Sequence, residues 1–231
     1  MPKTALLFGS IGAIAETSDI QRRAYNTAMH EAGLGWVWDR DVYAELLEQS
    51  GGKDRLATLS AATGAGLTQV QIDAIHARKT ELACAEIVAS GVRPRSGVVE
   101  LAQQAKKRGL KLGFVTTTYA PNIDAILATL DATLPRSAFD YVGGREAVAA
   151  GKPAPEAYLT ALTTLGIAAS EALAIEDTAL SVMSAKRAGI TTVATPGAIT
   201  HGQDFWQADL VVEALATPDG AIDSRVLALL D

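Results

Sequence analysis

Ala5-Leu6-Leu7-Phe8-Gly9 is four consecutive apolar residues closed by a glycine. A run this short, with no polar alternation, predicts a strand buried on both faces, as inside a parallel sheet. Leu112-Gly113-Phe114-Val115, Leu173-Ala174-Ile175, Thr191 to Ala194 and Leu210-Val211-Val212 carry the same signature. Helix-period segments lie between them. Val98, Leu101, Ala102 and Ala105 make one apolar stripe, and Tyr158, Leu162 and Leu165 another. Lys106, Lys107 and Arg108 precede Gly109, a cation-rich last turn before a glycine C-cap, which predicts a solvated helix end rather than a nucleic-acid patch. Strand–helix alternation of this kind predicts an α/β fold, a Rossmann-like parallel sheet covered on both faces.

Residues 17–90 break the alternation. Ile20 to Ala32, Val42 to Gln49, Lys53 to Thr63 and Thr68 to Ala89 read as helices with no strand between them. The expectation is a small helical domain inserted after the first strand, with residues 1–16 and 91–231 forming the core. Pro94 and Gly97 mark the return of the chain, and Trp36 and Trp38 read as anchors of the insertion's own core.

The 231 residues are 48% hydrophobic and 20% charged, which suits a globular protein that needs no covalent staples. The single Cys84 cannot form an internal disulfide, which fits a reducing cytoplasm, and it reads as a small helix filler. A net charge of −6 argues against nucleic acid and anionic membrane as partners. Ala5 to Ala15 has some look of a secretory leader, but Gly9, Ser10 and Gly12 interrupt it and the strand reading claims its first half. A cytoplasmic location is therefore expected.

In an open parallel sheet, ligands bind beyond the carboxyl ends of the strands. After Val115 come Thr116, Thr117 and Thr118, whose hydroxyl and backbone N–H groups suit phosphate oxygens. After Ile175 come Glu176 and Asp177, hard carboxylates suited to Mg2+. Gly151-Lys152-Pro153-Ala154-Pro155 presents one cation just before a helix, a point charge for phosphate. Taken singly, each reads better as a helix cap or an exposed lysine, and it is their convergence on one sheet edge that points to a site. Lys53 and Arg55 follow a glycine pair within the helical block and read either as a solvated helix start or as anion contacts. His30, His76 and His201 show no ligand spacing.

This order of features resembles the haloacid dehalogenase superfamily, whose four motifs fall at these strand ends. Thr116 matches the motif II hydroxyl, Lys152 motif III, and Glu176-Asp177-Thr178 motif IV, while the helical insertion matches the family's cap. Trp36-Val37-Trp38-Asp39-Arg40, Gly51-Gly52-Lys53-Asp54-Arg55 and Thr116-Thr117-Thr118 with Asn122 bring it nearest the CbbY-type branch, close to beta-phosphoglucomutase. The resemblance implies sugar-phosphate phosphatases, one of which acts on xylulose 1,5-bisphosphate. It also implies an Mg2+ cofactor held in part by Glu176 and Asp177, and cap contacts from Lys53 and Arg55.

Motif I is where the chain departs. The family places two aspartates two residues apart there, a nucleophile and a general acid/base. Alignment on Phe8, Gly12 and Glu16-Thr17 puts Gly9 and Ile11 in those positions, and Gln21 where relatives often carry histidine. Asp19 falls in the first turn of the next helix and cannot substitute. Loss of a nucleophile costs on the order of 10^6 in turnover elsewhere, and loss of a carboxylate weakens the metal site, with Lys152 expected to pair with Asp177. Three readings remain. One is a sugar-phosphate binder without phospho-aspartate chemistry. Another is a hydrolase using metal-activated water, with Glu16 as a further ligand. The last is an interaction protein with an empty cleft.

Overall fold

The structure, a computed structural model, describes residues 2–9, 11–49 and 51–231; Ser10 lies outside the described residues. The first apolar run forms β1 (Ala5–Phe8), every residue of it buried. β2 (Lys111–Val115), β3 (Tyr141–Gly143), β4 (Ala172–Glu176), β5 (Thr191–Ala194) and β6 (Leu210–Val211) complete one sheet in the order β3-β2-β1-β4-β5-β6. All its pairings are parallel. β1 sits between β2 and β4, with Phe8 beside Phe114 and Ile175. The order reverses direction between β1 and β4, the crevice where such sheets bind ligands.

β3 was not legible in the sequence. Tyr141-Val142-Gly143 is three residues long and only its glycine is buried, so it lacks the apolar run that marks the other strands. Pairing with β2 creates it.

Helices α6 (Val98–Lys107), α7 (Ala120–Leu130), α8 (Glu156–Leu165) and α9 (Ala179–Arg187) flank the sheet. α6 buries the four residues of its predicted stripe and ends at Arg108, where Lys106 pairs with Asp140 and Arg108 with Asp231 at the surface. Tyr158, Leu162 and Leu165 of α8 pack on the opposite face, against Leu7 and Ala174.

Between β1 and β2 the chain forms a short turn of helix, α1 (Ile11–Ile14), and then the helices α2 (Ser18–Glu31), α3 (Arg40–Leu46), α4 (Gly52–Thr63) and α5 (Gln69–Ser90). Each predicted helix of the block is present within a few residues. Thr68 caps α5 through a reciprocal box with Gln71. This block has its own apolar cluster of Tyr25, Met29, Trp38, Tyr43, Leu56, Ile72 and Ile75. Trp38 is buried, and its backbone is fastened to the Asn26 side chain by two hydrogen bonds of 2.8 and 2.9 Å. The chain returns through a bridge between Ala15 and Pro94. No helix among the described residues is long and apolar enough to cross a membrane.

Candidate functional site

A cleft of about 340 Å³ lies between the strand ends and the helical insertion. Its floor carries Ile11, Gly12, Thr116, Thr117, Lys152 and Asp177, and its roof Lys53, Arg55, His76 and Lys79. The residues singled out at separate strand ends therefore converge, with one exception. Glu176 does not line the cleft; it is fully buried beneath it.

The reason lies at Gly9. A Cβ on Gly9 would stand 2.1 Å from Glu176 Cδ and Oε1, so the Glu176 carboxylate occupies the space a residue-9 side chain would need. Lys152 Nζ, itself buried, donates to Glu176 Oε1 at 2.6 Å and to the Val115 carbonyl at 3.2 Å. Tyr158 donates its hydroxyl to the same Oε1 at 2.5 Å. Burial, then the Glu176 charge, holds the Tyr158 phenol well above its ordinary pKa, which keeps it a donor. The expected pairing of Lys152 with Asp177 is thus corrected: its partner is Glu176, because the missing side chain at position 9 leaves room for the longer acid to fold back. Tyr158 read in sequence as core stripe alone; its apolar ring fits that stripe and only its hydroxyl reaches the site.

Asp177 stays on the floor. Its Oδ2 lies 1.8 Å from where a Cβ on Gly12 would be, so a glycine at position 12 is required by close approach. Thr200 Oγ1 donates to the Asp177 carbonyl at 2.6 Å. Thr116 Oγ1 accepts from the Thr118 N–H at 3.1 Å, which shapes the turn after β2. Arg95, unmarked in the sequence, reaches the carbonyls of Gly12, Thr195 and Pro196 at 2.9, 2.6 and 2.7 Å. It pins the returning chain beneath the site.

The roof is rich in cations. Lys53 pairs with Asp73 at 2.7 Å and sits 5.6 Å from the Tyr119 ring centroid. Arg55 lies 5.8 Å from the Tyr43 ring and 6.0 Å from that of Tyr25, and its buried Nη1 has no hydrogen-bond partner among the described residues. Lys79, also missed in the sequence, is buried, 4.7 Å from the Tyr25 ring, and donates to Gln21 Oε1. Burial, then the charge of Arg55, pushes its ammonium down to about 7. His76 faces the same space, and burial followed by Lys79, Lys53 and Arg55 pushes it down to about 4. These residues were hidden because the buried face of α5, from Ile72 and Ile75 to Ala83 and Ile87, is broken in its middle by His76, Lys79 and Thr80 and so writes no strong apolar stripe.

Gln21, in the position noted for its departure from histidine, joins three elements: it accepts from Lys79 of α5 and donates to Asn122 of α7 at 3.2 Å. Asp19 pairs with Arg22 at 3.0 Å and with Arg40, within the first turn of α2 as expected. Glu16 accepts from the Ser18 and Ala198 N–H groups at 2.9 and 2.8 Å and is absent from the cleft lining.

A divalent cation of the Mg2+ type needs several oxygen ligands in near-octahedral array. Position 9 offers no carboxylate, the Glu176 carboxylate is bound to Lys152 and Tyr158, and Glu16 is turned into a loop. Among the described residues no three His, Cys, Asp or Glu side chains converge as a metal site. The donor set does not fit the metal.

The model of the haloacid dehalogenase-like hydrolases matches residues 12–195. The chain belongs to this family. The match begins beyond Gly9 and Ile11. Protein CbbY of Rhodobacter capsulatus is 39% identical over 210 residues, covering 90% of this chain and 92% of that protein. The crystal structure of CbbY from Rhodobacter sphaeroides in complex with phosphate superposes with a TM-score of 0.82 at 33% identity, over 93% of this chain and 95% of that one. A variant of the same protein, in complex with xylulose-(1,5)bisphosphate, gives 0.83 at 33% identity over 96% and 100%. A beta-phosphoglucomutase from Clostridium difficile, at 15% identity and a TM-score of 0.79 over 99% and 97% of the two chains, shares the fold. The chain is thus a haloacid dehalogenase-like protein of CbbY type, related to sugar-phosphate phosphatases.

Proposed function

We propose that this chain binds a phosphorylated sugar in the cleft without hydrolysing it through a phospho-aspartate. In this reading residues 17–90 act as the cap, and residues 1–16 with 91–231 as the core. One observation carries it: Gly9, which the resemblance sets in the nucleophile's place, has its side-chain space filled by Glu176. Glu176 is fully buried and does not line the cleft. Ile11, in the acid/base position, lines the cleft with no proton to give. Thr116, Thr117 and Lys152 on the floor, with Lys53 and Arg55 above, remain as the polar groups for a ligand whose class the CbbY complexes suggest.

The test compares wild type with the double reversion Gly9→Asp, Ile11→Asp on a sugar-phosphate panel in Mg2+ buffer. Wild type is expected to show a ligand-induced rise in melting temperature and no phosphate release. The revertant is expected to release phosphate once the aspartate introduced at position 9 pushes Glu176 out of its niche. Phosphate release by wild type, lost in Asp177→Ala, would overturn the reading.

A further inference from the structure

Two buried groups that line the cleft lack the partners their burial calls for. Lys79 Nζ donates to the neutral amide oxygen of Gln21 and lies 4.7 Å from the centroid of the Tyr25 ring. Among the described residues no carboxylate forms an ion pair with it; Arg55 from α4 repels its charge, and Cys84 of its own helix opposes that effect. Arg55 Cζ lies 6.0 Å from the same ring centroid. Its Nε donates to the Gly51 carbonyl at 3.4 Å, while the buried Nη1 has no hydrogen-bond partner among the described residues. The acids on this side are spent or exposed: Asp73 pairs with Lys53, and Asp54 faces solvent.

An ammonium without a counter-ion and a donor without an acceptor both cost free energy when drawn out of water. Lys79 relieves its share by giving up its proton, since burial and then Arg55 bring it down to about 7. His76, earlier in α5, is kept neutral by burial and by Lys79, Lys53 and Arg55. The outcome is an uncharged amine, and so a nucleophile, lining a cavity of about 340 Å³ beside an unused donor. One small anion fixed to the amine would satisfy both groups. A neutral amine makes such an anion when its lone pair takes up carbon dioxide.

We propose that Lys79 is a carbamylation site, its Nζ adding carbon dioxide and the resulting carbamate being held by Arg55 Nη1. The nitrogen lone pair forms the N–C bond, one C=O π pair moves onto oxygen, and the proton that nitrogen sheds passes to solvent. Nothing is oxidised or reduced. The remaining N–H still serves Gln21 Oε1, so the existing contact survives the modification. Exposed lysines do not compete, because with a pKa of about 10.4 fewer than about one in 10^3 is neutral near pH 7. The proposal goes beyond the sugar-phosphate reading and does not depend on it: carbon dioxide sets the charge at one point of the cleft, whatever else enters.

The experiment equilibrates the full chain with isotopically labelled bicarbonate near neutral pH, traps carbamates by alkylation with triethyloxonium, and maps them by peptide mass spectrometry. A carbamate is expected on the peptide carrying Lys79. The α-amine of the chain, which titrates near 8, is resolved on a different peptide. Lys79→Arg keeps a cation without the reactive amine and should lose the label. Gln21→Glu sets an acid against Nζ, holds it as an ammonium, and should cut occupancy about tenfold or more. Arg55→Met should weaken carbon dioxide uptake by about ten- to hundredfold, the worth of a hydrogen bond between charged groups; circular dichroism checks its fold, and Gln21→Glu carries the test if it does not fold. The melting temperature should rise in bicarbonate relative to chloride at equal ionic strength and pH, as for any ligand taken up only by the folded chain, and the rise should vanish in Lys79→Arg. The proposal is overturned if the Lys79 peptide of wild type carries no label, or if its label is undiminished in Gln21→Glu or in folded Arg55→Met.

Discussion

Gly9→Ala is the smallest change that tests how the floor is built. Gly9 does not have a positive φ, so alanine suits its backbone and the cost is one of space. The new Cβ would stand 2.1 Å from Glu176 Cδ, and the carboxylate must leave. It then gives up Lys152 Nζ at 2.6 Å and the Tyr158 hydroxyl at 2.5 Å. Hydrogen bonds to charged groups contribute about 1.5–3 kcal/mol each, so the pair is worth roughly 3–6 kcal/mol. Reduced freedom of the unfolded chain returns about 0.4–1 kcal/mol. A carboxylate that swings into the cleft regains water, which favours the lower end, about 3 kcal/mol, against about 3–5 kcal/mol for breaking a buried ion pair outright. For a chain of this size that lowers the melting temperature by roughly 6–12 °C. Urea unfolding of Gly9→Ala, Glu176→Ala and the double variant closes the cycle. With Glu176 already truncated, Gly9→Ala should cost nothing. If Gly9→Ala is as stable as wild type, or costs the same in both backgrounds, Glu176 does not fill the space at position 9 and the account of the floor is wrong.

Other consequences can be checked independently. Tyr158→Phe keeps the packing of α8 and removes a donor to Glu176 Oε1, so a loss of about 1.5–3 kcal/mol is expected in urea unfolding, with no change in far-UV dichroism. Lys79, held near 7 in the fold against about 10.4 when unfolded, binds fewer protons folded than unfolded between those values. Wild-type stability should therefore rise with pH from 7 to 9 relative to Lys79→Met, by at most about 1.4 kcal/mol per pH unit, and a flat difference would refute the assignment. His76 titrates below that window. Its folded value of about 4 lies below its unfolded one, so stability should fall as pH drops from about 6.5 toward 4, and His76→Gln should remove that slope. Asn26→Ala loses both bonds to the Trp38 backbone; it should cost about 1–3 kcal/mol and leave the Gly9→Ala cycle unchanged, since it lies in the insertion's own core.

Much of the architecture was legible because parallel strands buried on both faces write continuous apolar runs. Ala5–Phe8 and Thr191–Ala194 appear at their predicted bounds. The helices of the insertion were legible as successive helical segments with no strand between them. β3 was not, because three half-buried residues make no pattern. At the site, Thr116, Thr117, Lys152 and Asp177 could be read from their places just beyond strands or before a helix, since the sheet order brings strand ends together. Lys79 and His76 could not: they are polar positions in a long helix, and only the packing of α5 over the strand ends turns them toward a cleft. Tyr158 was read for its ring and missed for its hydroxyl.

The sequence by itself determined the α/β order, the inserted helices and the absence of acids at positions 9 and 11, because these are properties of residue type and spacing along the chain. Where the remaining charges go was decided by tertiary structure. Whether Lys152 turns to Glu176 or Asp177, and whether Glu176 faces the cleft or the space over Gly9, depends on which side chain can reach a void opened by a residue far away in sequence. β1 and β4 lie side by side in the sheet, so the side-chain space left open at Gly9 beyond one is within reach of the acid at the end of the other.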